Sequence, residues 1–142
     1  MLRIAVLAIL VAVASANLQT VQRVATCGSK GEVLAVRISG CATLPCNFFQ
    51  SQTYQIEVDF KPSTAHSELE VALTAVHLGK DISIVKETVP AVLSPANAYT
   101  LSYPWTVEVD FTGLIILRIQ LSGNDVSEIC SVATANIRDI IF

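Results

Sequence analysis

The stretch Tyr54-Gln55-Ile56-Glu57-Val58-Asp59-Phe60 sets aromatic and branched residues on one parity and Gln55, Glu57 and Asp59 on the other. Successive side chains of an extended strand point to opposite faces, so this period of two describes a strand with one face in a core and one in water. The same pattern recurs outward from it. Leu69, Val71, Leu73 and Ala75 repeat it, with Glu68 and Glu70 outward, and Ile82, Ile84 and Lys86 suggest a shorter partner after a Gly79-Lys80-Asp81 turn. Tyr99 to Val107 places Tyr99, Leu101, Tyr103, Trp105 and Val107 on one side, which sends Pro104 to an edge or a bulge. Leu114 to Leu121 alternates Ile115, Leu117, Ile119 and Leu121 against Leu114, Ile116, Arg118 and Gln120. Val33 to Ile38 at the front and Ile129 to Ile140 after a Gly123-Asn124-Asp125 turn complete about seven strands. No stretch carries a capped helical stripe, so the expected fold class is all-β, a sandwich of short strands joined by polar turns.

Residues 1–16 read as a secretory signal peptide: Arg3, an apolar run from Ile4 to Val13, and Ala14-Ser15-Ala16 as an A-x-A cleavage site. The run is too short to cross a bilayer, which takes about 20 apolar residues. The expected domain is therefore residues 17–142, a single one, soluble and extracellular. Without Arg3 the chain keeps eight Lys and Arg against twelve Asp and Glu, dispersed along its length. No basic patch is present to attract nucleic acid or anionic head groups, and Arg37 is expected on a solvated surface with the other bases.

Four cysteines in a secreted chain argue for two disulfides, with three connectivities open. Cys41 and Cys46 flank the turn-like Ala-Thr-Leu-Pro and are expected to close a small loop, which leaves Cys27 for Cys130. That second bridge would tie the start of the domain to its end, for about 4–5 kcal/mol in the loop-closure account. A zinc site is disfavoured by the loose spacing and by oxidation outside the cell.

Catalytic readings fail for want of parts. His66, in Pro-Ser-Thr-Ala-His-Ser, is expected in an exposed loop and His77 at a strand end, neither beside a nucleophile motif. The pairs Glu57/Asp59 and Glu68/Glu70 share an outward face and should be wet, whereas general acid chemistry needs a carboxyl in a dry pocket. The expectation is that the chain is not an enzyme, and needs no metal or cofactor. What remains is apolar content in two layers. Sheets pressed together fill the gap with side chains; sheets splayed at one end leave a cavity for hydrocarbon. Periodicity does not separate the two, and dense packing is the default.

Cys27-Gly28-Ser29, then Ile38-Ser39-Gly40-Cys41 with Pro45-Cys46, then the strand ending at Phe60, resembles the opening of the ML (MD-2-related lipid-recognition) domain. Tyr99-Thr100-Leu101-Ser102-Tyr103-Pro104-Trp105 and Cys130 to Asp139 are similar to the corresponding stretches of the group 2 mite allergens, a branch close to the Niemann-Pick type C2 sterol-transfer proteins. The resemblance implies an immunoglobulin-like β-sandwich with a hydrophobic cavity between its sheets, holding a sterol, fatty acid or other lipid, and the bridges Cys27–Cys130 and Cys41–Cys46. Two departures stand out. The family's third disulfide is missing where this chain reads Val89 to Pro95, expected as a looser loop held by its two prolines, and Asn47-Phe48-Phe49-Gln50-Ser51 replaces a basic residue and glycine after Cys46.

The resemblance implies that positions at the sterol-pocket mouth of the Niemann-Pick C2-like branch correspond, by counting from Gly79 and Tyr99, to Ile84, Val107 and Phe111 here. Strand phase adds Phe60, Val71, Leu73, Leu101, Tyr103 and Trp105 as wall residues. The expected partner is a hydrophobic small molecule held as ligand. The rival expectation is a secreted sandwich with a filled core that binds another protein, as MD-2 relatives assist receptors.

Overall fold

The computed structural model describes residues 24–139; the signal peptide read at residues 1–16 lies outside them. Among the described residues there are nine strands: β1 (Ala25–Thr26), β2 (Glu32–Ile38), β3 (Cys46–Phe49), β4 (Thr53–Lys61), β5 (His66–His77), β6 (Lys80–Leu93), β7 (Tyr99–Thr106), β8 (Gly113–Gly123) and β9 (Val126–Arg138). Seven of them are the strands that alternation marks. The short β1 and β3, with two and four residues, carry too little sequence to show a period.

The strands form two sheets, one ordered β2-β4-β7 and the other β1-β9-β8-β5-β6, with β3 parallel to the end of β9. Parity fixes the pairing. Tyr54, Ile56, Val58 and Phe60 face Trp105, Tyr103, Leu101 and Tyr99 across β4 and β7, while Val71, Leu73 and Ala75 face Leu121, Ile119 and Leu117 across β5 and β8. Shifting either register by one residue would turn these rows to water. Instead they close on each other as one core, and each fully buried aliphatic side chain contributes about 1.5–3 kcal/mol. Pro104 lies on β7, an edge strand, as its missing N–H requires.

Four expectations need correction. Lys80 and Asp81 already pair with His77 and Val76, so the β5–β6 turn is Leu78-Gly79, with φ of 52° and 77°. Positive φ at both central residues matches the twist of a two-residue hairpin, and Asn124-Asp125 does the same between β8 and β9. Val89 to Leu93 is no loose loop: it belongs to the fourteen-residue β6, where Val89, Ala91 and Leu93 are buried and Pro90 stands exposed on the sheet edge. Glu57, Asp59 and Arg37 are not a wet face. Arg37 is only 5% exposed and grips Asp59 through two 2.7 Å bonds and Glu57 through one of 3.1 Å; Thr100 Oγ1 donates to Asp59 at 2.7 Å. Burial pushes the Asp59 carboxyl up, but the Arg37 and Thr100 hydrogen bonds and the Arg37 charge outweigh it and hold it below its ordinary value.

The fourth correction is His66, which opens β5 as a buried residue. Its Nε2 lies 2.7 Å from Glu128 Oε2, both side chains fully covered, and Glu128 also accepts from Ser63 N at 2.7 Å, Ser63 Oγ at 3.0 Å and Thr64 N at 3.3 Å. Backbone bonds Lys30 N to Ser127 O and Gly31 N to Glu128 O, each 2.9 Å, tie the lead-in of β2 to β9 here. A Cβ on Gly31 would meet Glu128 Oε1 at 2.8 Å, and one on Gly123 would meet His66 Nδ1 at 2.6 Å, so both positions need glycine. The bridge Cys27–Cys130 fastens the same pole, while Cys41–Cys46 closes the small loop before β3.

Candidate functional site

The opposite pole is open. β6 and β7 are the edges of their respective sheets and do not pair with each other. Between the start of β6 and the segment after β7 lies a solvent-open cleft of about 610 Å³. Ile82 and Ile84 form one wall, and both are half-buried. The other wall is 107–111, where alternation outlasts the strand: Val107 is buried, Val109 and Phe111 half-buried, Glu108 and Asp110 exposed.

A segment without sheet partners needs other hydrogen bonds to hold its shape. Ser51 N donates to Val107 O at 2.7 Å and Val107 N to Gln52 O at 2.9 Å. The Gln50 amide then takes the place of a neighbouring strand: Nε2 donates to Val109 O at 2.7 Å and Phe111 O at 3.2 Å, and Oε1 accepts from Val109 N at 3.2 Å. Gln50 is fixed through its own N–H to Arg138 O at 2.8 Å. Residue pattern could not single out Gln50, because it recognises backbone groups sixty positions away. Phe111 is seated by His77, the two rings stacked at 4.4 Å with 19° between their planes.

Of the nine residues taken from sequence as ligand-binding, Ile84, Val107 and Phe111 line this cleft. Phe60, Val71, Leu73, Leu101 and Trp105 do not; they are buried between the sheets behind it. Phe60 sits near the far pole beside Tyr99, with ring centroids 6.3 Å apart. Tyr103 is half-buried, and its hydroxyl donates across the open side to Glu87 on β6 at 2.7 Å. Just inside the cleft end, Phe48 meets Trp105 and Tyr54 edge-on, at 5.1 and 4.9 Å. The opening is mixed: Ile82, Ile84, Val107, Val109 and Phe111 share it with Gln50, Ser51, Ser83, Glu108 and Asp110, and of these Ile84, Val107, Val109 and Phe111 run on into the apolar core behind, where an apolar guest would be sheltered from water.

No protein-family model matches the sequence, and no curated protein matches it either. The fold is similar to the crystal structure of a Niemann-Pick type C2 protein from Japanese carpenter ant, with a TM-score of 0.71 and 17% identity over 80% of this chain and 98% of that one. It is also similar to chicken MD-1, crystallised in complex with lipid IVa, with a TM-score of 0.56 and 14% identity over 92% of this chain and 98% of that one. The two-sheet topology, the open pole and these two likenesses agree: the chain has an ML-domain, Niemann-Pick C2-like fold.

Proposed function

We propose that the protein is a secreted lipid carrier, not an enzyme, which takes the apolar part of its ligand between the sheets through the cleft bounded by Ile84, Val107 and Phe111. The observation that carries this reading is the cleft beside the edges β6 and β7, where Ile84, Val107, Val109 and Phe111 connect the opening with the buried core. The likeness to an MD-1 that was crystallised with lipid IVa supports it. Sterols, fatty acids and similar lipids are the candidate cargo. Each buried methylene contributes about 0.8 kcal/mol, so a dozen carbons give roughly 10 kcal/mol before the costs of association. Phe60, Val71, Leu73, Leu101 and Trp105 then form the inner wall, and loading requires the sheets to part around the guest.

Native mass spectrometry and solvent extraction of the purified protein test this directly. A carrier yields bound lipid and accepts a fluorescent sterol or fatty acid after delipidation; refusal of both by folded protein would leave a filled sandwich that acts on another protein. Phe111→Asp, at the rim, is expected to cut that binding at least tenfold with an unchanged circular dichroism spectrum. Unchanged titration would remove Phe111 from the site.

A further inference from the structure

Among the described residues, the interior holds two polar side-chain atoms that nothing satisfies: Trp105 Nε1 and Ser131 Oγ. Arg118 Nε also lacks a partner, but its guanidinium is engaged through Nη2 with Asp81 at 2.6 Å. Trp105 is 3% exposed and Ser131 0%. Trp105 belongs to the inward parity of β7 with Leu101 and Val107, and its ring reaches Phe48 of the other sheet, which puts the indole between the layers. Ser131 shares the parity of Ile129, Ala133, Ala135 and Ile137 on β9. It pairs with Ile119, which continues through Leu73 to Val85, so its hydroxyl is the one polar group in an apolar row.

Leaving a buried donor unmade costs about 1–3 kcal/mol, and native proteins seldom carry such groups without a reason. An indole N–H only donates, so what completes it must accept. A carboxylate is a poor candidate: a charge taken into this interior would need a cation, and the basic side chains buried among the described residues are taken, Arg37 by Glu57 and Asp59 on the opposite face and His66 by Glu128. Resting on the carrier reading above, we infer that the cargo is a lipid with an uncharged oxygen function, a hydroxyl, keto or ester carbonyl, in the portion that is buried. The oxygen accepts from Trp105 Nε1, and Ser131 offers a second polar station deeper along the sheet. Chain hydrophobicity then supplies affinity, and the internal oxygen selects among chains of equal length.

The test compares hexadecane with its mid-chain ketone, each delivered to delipidated protein from cyclodextrin. Trp105 is the single tryptophan of the chain, so its emission and the vibrational band of its indole N–H report this site alone. The N–H band is expected to move to its hydrogen-bonded position with the ketone and not with the alkane. The ketone-to-alkane affinity ratio is expected to fall about tenfold in Trp105→Phe, whatever that variant does to overall affinity, and severalfold in Ser131→Ala. Taking the ratio within each protein cancels the different hydration of the two probes. A ratio unchanged in both variants, or an N–H band already hydrogen-bonded to water in delipidated protein and unmoved by either probe, overturns the inference and leaves the carrier reading standing. Failure of both probes to bind overturns this inference; refusal of the fluorescent sterol and fatty acid as well overturns the carrier reading with it.

Discussion

The Tyr103 hydroxyl on β7 and the Glu87 carboxylate on β6 meet at 2.7 Å, joining the free edges of the two sheets across the side where they are not otherwise paired. A hydrogen bond to a charged acceptor contributes about 1.5–3 kcal/mol. If lipid enters between these edges, the bond must open for exchange. Tyr103→Phe keeps the ring and removes the donor, so lipid release is expected to quicken about tenfold while equilibrium affinity changes much less. Stopped-flow dissociation of a fluorescent lipid measures this; identical rates in both proteins would show that exchange does not pass this latch.

Gln50 holds the cleft wall by acting as a strand that is not there. Its side-chain amide satisfies Val109 and Phe111, which have no sheet neighbours. Gln50→Ala is expected to cost about 1–3 kcal/mol and to lower lipid affinity at least fivefold, because the wall loses its shape as well as its bonds. Gln50→Glu is the sharper variant: it keeps size and acceptors but loses the amide donors facing Val109 O and Phe111 O. If Gln50→Glu binds lipid as the parent does, the wall is held by Ser51 and Gln52 alone.

What alternation can express, the sequence expressed. Tyr54 to Phe60 and Tyr99 to Val107 define the small sheet because each inward position is apolar and each outward one is not. His66 was opaque for a physical reason: Pro-Ser-Thr-Ala before it has the composition of a loop, and its burial depends on Glu128, which is 62 residues away. Arg37, Glu57 and Asp59 obeyed the period but not the inference drawn from it. An outward face is wet unless its charges pair with those of a neighbouring strand, as Arg37 of β2 does with Glu57 and Asp59 of β4, and such pairing leaves no mark on one strand's sequence. Gln50 falls in the same class, since its partners are carbonyls and an amide of the main chain.

The His66–Glu128 pole predicts a defined response to acid. Burial pushes the Glu128 carboxyl up, yet the hydrogen bonds from His66 and Ser63 prevail and hold it below its ordinary value. A carboxyl whose folded value is depressed stabilises fully above its unfolded value, about 4.3, and loses that contribution as pH falls through the lower folded value. Asp59, held down beside Arg37, acts with the same sign. Urea midpoints are therefore expected to drop as pH falls below about 4.3. Glu128→Gln should lower stability at neutral pH by about 2–4 kcal/mol and make the acid-side loss shallower, since one of the two groups no longer titrates. Parallel pH curves for the two proteins would mean that the pair does not contribute to acid sensitivity.

Leu78 is the weakest choice in the fold's turns. It occupies the first central position of the β5–β6 hairpin at φ 52°, where a Cβ crowds the following carbonyl, and its side chain is 87% exposed, so little packing offsets the strain. The equivalent β8–β9 turn has Asn124 at φ 51°, a residue whose short amide tolerates this conformation. Leu78→Asn is thus expected to stabilise the domain by about 0.5–1 kcal/mol, raising the thermal midpoint by a few degrees. Leu78→Ala separates the two contributions: it keeps the Cβ and the strain, and removes only the exposed isobutyl group. Stabilisation by Asn and not by Ala assigns the effect to backbone strain. Equal gains from both would trace it to the exposed side chain instead, and a loss with Asn would mean that Leu78 makes contacts its exposure does not reveal.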